Sequence, residues 1–170
     1  QEPLVRLDHV NNITFKDHIF EYTSGAGIEI IGGDSNTIES SVLRNIGTVA
    51  VSIGKLAPDL GSLIYENTLY NGDAGHNNGI VNCEIYATGE GGVILGGGDR
   101  ATLKPGNNYA INNDIYDCSR WVRTYRAGIF MYGAGNIVKH NLIHDLPHTA
   151  LFFWGNEHLM EYNEIYRVCM

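Results

Sequence analysis

Apolar residues recur at every second position in five short stretches of the chain, and each stretch opens on a small residue. The copies are Gly27-Ile28-Glu29-Ile30, Ala50-Val51-Ser52-Ile53, Gly92-Val93-Ile94-Leu95, Gly128-Ile129-Phe130-Met131 and Ala150-Leu151-Phe152-Phe153. A period of two is typical of β-strands, whose successive side chains point to opposite faces. The pattern therefore predicts short strands with one inward and one outward face.

A second pattern consists of an anchor residue, a small or polar residue five positions later, and an aliphatic residue two positions beyond that. The anchors are Asn12, Asn36, Asn78, Asn108, Asn136 and His158. The small or polar residues are Asp17, Ser41, Cys83, Asn113, Asn141 and Asn163, and the aliphatic ones are Ile19, Leu43, Ile85, Ile115, Ile143 and Ile165. An uninterrupted repeat of about 22–24 residues accommodates three short strands and three turns.

Together the two patterns predict an all-β solenoid, a right-handed parallel β-helix of about six coils. One coil cannot bury its own apolar face, but stacked coils share a continuous core. A leucine-rich repeat has a similar period, but its L-x-x-L-x-L-x-x-N pattern and helical return are absent. We interpret the anchor asparagines as structural, because stacked side-chain amides can bond to each other and to the backbone of tight turns. The chain's 21 Gly and 17 Asn agree with regular tight turns.

Composition narrows the function and the organisation. A net charge of -8 argues against a nucleic-acid or anionic-membrane surface, and no apolar run is long enough to span a bilayer. Three cysteines without metal-like spacing predict neither a disulfide framework nor a metal site. We predict a single β-helix segment over residues 1–170, uncapped and therefore part of a longer solenoid. The sequence indicates no oligomeric state.

Three insertions interrupt the regular coils and predict where a ligand binds. They are Lys55–His76, Gly97–Gly106 and Asp117–Ala127, and all flank the same strand type. Insertions of a repeat protein map to one face, which is often the binding face. The outward residues of that sheet are Glu29, Ser52, Ile94, Phe130 and Phe152 in one column and Ile31, Gly54, Gly96, Tyr132 and Trp154 in the next. We expect the aromatic ones to face sugar rings; the alternative is that loops cover them as a second small core.

The predicted walls also supply polar side chains. They are Asp99, Arg100, Arg120, Arg123, Tyr125, Arg126, His148, Asn156 and Glu157. Arginine forks suit carboxylates such as those of uronic acids. The alternative for each arginine is a surface salt bridge with Asp99, Asp117 or Asp145.

Several segments resemble bacterial right-handed β-helix proteins, and among these most closely glycoside hydrolase family 141. They are Gly96-Gly97-Gly98-Asp99-Arg100, Pro105-Gly106-Asn107-Asn108, Arg120-Trp121-Val122-Arg123-Thr124-Tyr125-Arg126, Asn141-Leu142-Ile143-His144-Asp145-Leu146-Pro147-His148, Gly155-Asn156-Glu157-His158 and Glu161-Tyr162-Asn163-Glu164-Ile165. The resemblance implies fucosidase or xylanase activity on plant cell-wall polysaccharides, in longer proteins whose next coil carries an acidic cluster. It also implies a secreted, periplasmic or cell-surface protein.

The leading hypothesis is a glycoside hydrolase that acts on a complex polysaccharide without a cofactor. Asp99 and Glu157 are the candidate catalytic acids, predicted roughly 9–10 Å apart, unless those acids follow residue 170. The candidate substrate-binding residues are Arg100, Arg123, Tyr125, Arg126, Phe130, Tyr132, His148, Phe152, Trp154, Asn156 and His158. The alternatives are a polysaccharide lyase or epimerase on uronates, which would add calcium or arginine, and a non-catalytic carbohydrate-binding solenoid.

Overall fold

The computed structural model describes residues 2–55 and 69–170, and these contain eighteen short strands in three parallel sheets of six. Strands are numbered in chain order. The first sheet holds β1 (Val5–Asp8), β4 (Ile28–Ile31), β7 (Val51–Ile53), β10 (Val93–Leu95), β13 (Ile129–Met131) and β16 (Leu151–Phe153). The second holds β2 (Thr14–Lys16), β5 (Thr37–Glu39), β8 (Gly79–Val81), β11 (Tyr109–Ile111), β14 (Ile137–Lys139) and β17 (Leu159–Glu161). The third holds β3 (Ile19–Thr23), β6 (Val42–Ile46), β9 (Glu84–Thr88), β12 (Asp114–Tyr116), β15 (Leu142–Leu146) and β18 (Glu164–Val168).

Each strand pairs with the strand three positions further along the chain, so successive triplets stack as coils. Val93, for example, pairs with Val51 on one side and with Ile129 on the other. All three side chains are fully buried in a single apolar cluster that runs through the coils. This arrangement confirms the predicted parallel β-helix and the inward columns of the alternating stretches.

The anchor asparagines form the predicted ladder. The side-chain oxygen of Asn78 accepts from the backbone N–H of Asn36 at 2.9 Å, and the side-chain oxygen of Asn108 accepts from Asn78 N–H at 2.8 Å. Asn136 does the same for Asn108 at 3.2 Å. A second ladder runs through Cys83, Asn113, Asn141 and Asn163. The structural interpretation of these asparagines is confirmed, because each one satisfies buried turn amides.

The first copy of the repeat was predicted one residue out of register. Phe20, not Ile19, pairs with Leu43, and accordingly Phe20 is buried while Ile19 is exposed. Ile13 donates its backbone N–H to Asn36 and therefore takes the anchor position. Asn12 adopts the left-handed conformation (φ 58°) of the preceding turn residue, which asparagine tolerates. The asparagine alignment thus selected a turn residue in this coil.

The three cysteines form no disulfide, and two of them are buried. Cys83, Cys118 and Cys169 are free thiols, and burial raises the pKa of Cys83 to about 11 and that of Cys118 to about 12. Both buried thiols therefore stay protonated and inert. Within residues 2–55 and 69–170, no helix is long and apolar enough to cross a membrane.

Candidate functional site

The outward face of the first sheet has the columns that the alternating pattern predicts. Glu29 pairs with Ser52, Ser52 with Ile94, and Ile94 with Phe130. Phe130 in turn pairs with Phe152. Side chains from five coils therefore form one line along this face, about 4.8 Å apart.

The aromatic end of this face is largely closed to a ligand. Phe130 and Tyr132 are buried, in an apolar cluster with Val49 and Ile94 that Tyr70, Phe152 and Trp154 extend. The Tyr70 ring stacks on Tyr132 at a centroid distance of 5.4 Å, and burial raises the pKa of Tyr132 so that its hydroxyl stays neutral. The expectation of exposed sugar platforms is thus wrong for Phe130 and Tyr132. Both residues instead belong to a second small apolar core, which is the alternative that the sequence analysis left open.

Phe152 and Trp154 remain candidates for ligand contact, since both are half-buried. Their rings meet edge to face at 5.6 Å, and Phe152 also contacts Phe130 at 5.6 Å. Such edge-to-face pairs hold aromatic rings in fixed orientations.

The Asp99 side chain stabilises the tight turn in which it lies. Its carboxylate accepts from the Thr102 hydroxyl at 2.8 Å and from the Ala101 backbone N–H at 2.8 Å. These bonds, led by that of Thr102, hold the pKa of Asp99 below its usual range. The same turn closes through Asp99 N–H and the Lys104 carbonyl at 2.8 Å. Because a general acid must be protonated near neutral pH, Asp99 is poorly suited to that role.

Asn156 and Glu157, which the sequence predicts on the same wall as Asp99, are both exposed. The Arg100 guanidinium donates through Nε to the Asn156 side-chain oxygen at 3.1 Å, which joins two of the predicted binding residues. Glu157 lies in the left-handed turn before its anchor (φ 57°). A catalytic role for Asp99 and Glu157 stays a prediction.

In the arginine-rich wall, Arg126 forms an ion pair, whereas other side chains are exposed. Arg126 donates through Nε to Glu90 at 2.7 Å, so the salt-bridge alternative holds for this residue, with a partner that the sequence did not indicate. Arg123 and Tyr125 are exposed, and the Tyr125 ring lies 5.4 Å from that of His148. His148 is half-buried and bonds to the Thr149 hydroxyl at 2.8 Å.

His158 replaces asparagine in the ladder and reproduces its hydrogen bonds. Its Nδ1 accepts from the backbone N–H of Asn136 at 3.1 Å, and its Nε2 lies 2.9 Å from the Trp154 carbonyl oxygen. Asn136 likewise donates to the carbonyl four residues before it, that of Tyr132, at 2.9 Å. The two contacts require a neutral ring with the proton on Nε2. His158 is therefore a structural residue, which disfavours its predicted role in binding substrate.

This role of His158 predicts a pH-dependent stability. Burial lowers the pKa of His158 below its ordinary value of 6.5. The unfolded chain therefore binds the proton first, and the stabilisation present above pH 6.5 is lost as the pH falls below it. We expect His158→Asn to flatten the fall in unfolding midpoint between neutral and mildly acidic buffer. His140 is exposed, so His140→Asn should keep the wild-type dependence of the unfolding midpoint on pH. The same pH dependence in His158→Asn as in the wild type would contradict this account.

A charged cleft that the sequence analysis missed lies at the other end of the same face. It has a volume of about 330 Å³ and is lined by Arg6, Asp8, His9, Glu29, Ile31, Lys55 and Asp73. Arg6 and Glu29 are register partners on β1 and β4. Lys55 follows the end of β7, at the start of the first predicted insertion. The sequence contained a signal for this cleft, because Glu29 lies in the predicted outward column and Lys55 begins the first predicted insertion. The pairing of Arg6 with Glu29 was not predicted.

Two charge clusters fix the groups in the cleft. Arg6 donates through Nε to Glu29 at 2.9 Å, and the Glu29 carboxylate is buried, with only 4% of the residue exposed. His9 contacts the Asp8 carboxylate through Nδ1 and lies 3.2 Å from Asp73 Oδ2 through Nε2. The hydrogen bond to Asp8, aided by the charge of Asp73, raises the pKa of His9. His9 thus favours the protonated form, in which both ring nitrogens donate.

Glycine at position 32 makes room for the His9 ring. Gly32 has a left-handed backbone (φ 61°), and a Cβ there would lie 2.6 Å from Cδ2 of His9. In the described parts of the chain, no group of three or more His, Cys, Asp or Glu side chains is arranged to hold a metal ion. We therefore assign no calcium site to these residues, and the calcium of the lyase alternative stays a prediction.

Three parallel sheets wound into successive coils, with a charged cleft on the outer face of one sheet, define a parallel β-helix. The chain belongs to the right-handed β-helix family, whose "right handed beta helix region" matches residues 4–166. No curated protein shows a significant sequence match to the chain.

Two solved structures share the fold. One is the pectate lyase Pel9A, with a TM-score of 0.51 and 14% identity over 83% of this chain and 36% of that one. The other is the A-module of the mannuronan C-5 epimerase AlgE4 from Azotobacter vinelandii, with a TM-score of 0.53 and 11% identity over 96% of this chain and 52% of that one. The chain thus spans about a third of the length of the pectate lyase and about half of that of the epimerase module. These matches do not support glycoside hydrolase family 141 in particular.

Proposed function

We propose that this chain belongs to an enzyme that modifies an acidic polysaccharide at a uronate unit, as a lyase or a C5-epimerase. The observation that carries the proposal is the charged cleft, which places Arg6, His9 and Lys55 together on the outer face of the first sheet. The same cleft holds the carboxylates of Asp8, Glu29 and Asp73, so cations that can bind a substrate carboxylate lie beside groups that can accept a proton.

Both reactions begin with loss of the proton on C5, next to the substrate carboxylate. Cations that pair with the carboxylate stabilise the negative charge that develops there. Lys55 can supply this pairing, and Arg6, which already bonds to Glu29, adds positive charge to the cleft. Asp8 and Asp73 are carboxylates of the cleft that can accept the proton. Protonated His9 can then supply a proton, either to the departing O4 as the C4–O4 bond breaks and C4=C5 forms, or to C5 from the opposite face.

Two further observations support this choice over a hydrolase. Pectate lyase and mannuronan C-5 epimerase are names of enzymes that act on uronate polymers, and these proteins share the fold of this chain. Asp99, one of the two predicted acids, has a pKa held below its usual range by hydrogen bonds within its own turn. The same proposal includes the predicted location outside the cytoplasm, where such polymers occur.

One experiment separates the candidate activities. The chain is incubated in D₂O with polygalacturonate, polymannuronate and, as a neutral control, xylan. Ultraviolet absorbance of an unsaturated uronate is the result expected for a lyase, and deuterium at C5 without cleavage is the result expected for an epimerase. New reducing ends without unsaturation would overturn the proposal in favour of a hydrolase. An unchanged polymer in every assay would overturn it in favour of a binding protein.

A further inference from the structure

The loop of residues 117–127, between β12 and β13, presents two aromatic side chains to solvent. Trp121 is 74% exposed and Tyr125 is 73% exposed. Most large aromatic residues of a folded chain lie at least half-buried, because they bury the most apolar area. Two such rings in one short loop therefore indicate a surface for a ligand.

The loop is fixed to the coil before it. The backbone N–H groups of Ser119, Arg120 and Trp121 donate to carbonyl oxygens of residues 88–90, at the end of β9 and in the turn that follows it. Arg120 donates to Thr88 at 3.0 Å and Trp121 to Gly89 at 2.9 Å. Arg126 closes the other end through Glu90 at 2.7 Å. Because these contacts order the backbone before binding, a ligand need not order it, which favours affinity.

The two rings are separated along the solenoid axis. The Trp121 ring lies against Gly89, where an added Cβ would stand 3.2 Å from it, and Gly89 belongs to the preceding coil. The Tyr125 ring lies 5.4 Å from His148, in the following coil. Two coils correspond to about 10 Å along the axis. The residues that the two rings contact therefore lie two coils apart, and the pair suits an oligosaccharide that runs along the axis.

The loop is also locally basic. Arg120 and Arg123 are exposed, and neither forms an ion pair with any residue in the described ranges. Elsewhere the chain carries a net negative charge. Guanidinium groups beside aromatic rings match a sugar polymer that bears carboxylates, because the rings contact apolar sugar faces while the forks bind the acids.

We propose that Trp121, Tyr125, Arg120 and Arg123 form a second binding surface for an acidic oligosaccharide. This surface, the loop platform, rests on the proposed function for its substrate class. It lies at the edge of the first sheet where the strands begin, whereas in the cleft Asp8 ends β1, and His9 and Lys55 follow the ends of β1 and β7. The platform would hold the polymer outside the cleft.

Calorimetric titration of the chain tests the platform. The probes are galacturonate and mannuronate, as monomers and as oligomers of increasing length, with xylo-oligosaccharides as the neutral set. We expect Trp121→Ala and Tyr125→Asn each to weaken binding of long acidic oligomers about tenfold. Monomer binding should stay unchanged. The Arg120→Ala Arg123→Ala double variant should lose the preference for acidic over neutral oligomers.

Tyr162→Asn is the matched control. Tyr162 is 75% exposed and, like Tyr125, has a left-handed backbone that asparagine tolerates (φ 56° and 55°), but it lies between the second and third sheets. The Tyr162→Asn variant should bind long acidic oligomers with the affinity of the wild type. If Trp121→Ala and Tyr125→Asn bind long acidic oligomers as tightly as the wild type does, the platform is overturned. The binding of acidic oligomers would in that case still support the proposed function. If the wild type binds no acidic oligomer, the platform and the proposed substrate class both fail.

Discussion

Replacing His9 by asparagine is expected to lower the turnover of acidic polysaccharide by about 10²- to 10⁴-fold, the range typical of a lost acid–base group. His9 bonds to Asp8 and Asp73 and so holds a proton at the cleft. Asparagine fits the left-handed backbone at this position (φ 52°), so the change removes the proton without straining the turn. Initial rates on polygalacturonate and polymannuronate measure the effect.

The pH profile distinguishes a proton donor from a merely structural residue. Asp8 and Asp73 raise the pKa of His9, so its charged form persists to higher pH than that of an ordinary histidine. Turnover that uses this proton should fall as the pH rises through that raised pKa, and this alkaline limb should vanish in His9→Asn. His140→Asn, at another exposed left-handed histidine (φ 55°), should keep both rate and profile. Wild-type turnover in His9→Asn would remove His9 from the mechanism.

The fold could be predicted because its two signals are local. A period of two marks each strand, and a recurring asparagine marks each turn, so the inward column through Val51, Val93 and Ile129 follows from spacing alone. The prediction was wrong in the first coil because the anchor position is held by Ile13, and the asparagines Asn11 and Asn12 come directly before it. Only the hydrogen bond from Ile13 to Asn36 reveals this shift of one residue. One residue of slip exchanges inward and outward faces.

The site was harder to predict because it depends on contacts between coils. The pattern placed Phe130 and Tyr132 outward, which they are, but whether outward rings meet solvent or each other depends on neighbours such as Tyr70. His9 gave no signal at all, since its partner Asp73 lies 64 positions along the chain (73 − 9). Long-range pairs of this kind define the cleft, and a single sequence does not pair them.

Replacing Asn108 by alanine is expected to lower the free energy of unfolding by about 4 kcal/mol, since two buried polar groups lose their partners at about 1–3 kcal/mol each. The Asn108 side-chain oxygen accepts from Asn78 N–H at 2.8 Å, and its amide donates to the Gly96 carbonyl at 2.8 Å. Asn108 is fully buried, so water cannot replace either partner. Urea denaturation followed by circular dichroism measures the change.

The size of this effect depends on the ladder and not on asparagine as a residue type. Asn11→Ala is the control, because Asn11 is exposed and should change the unfolding free energy by less than about 0.5 kcal/mol. A loss below about 1 kcal/mol in Asn108→Ala would show that the turns tolerate unpaired amides and that the ladder is incidental. A large loss instead means that the Asn108 side chain, in addition to the strand pairing, holds its coil against the neighbouring ones. Coils stabilised in this way give the first sheet the rigidity with which the charged cleft holds its groups.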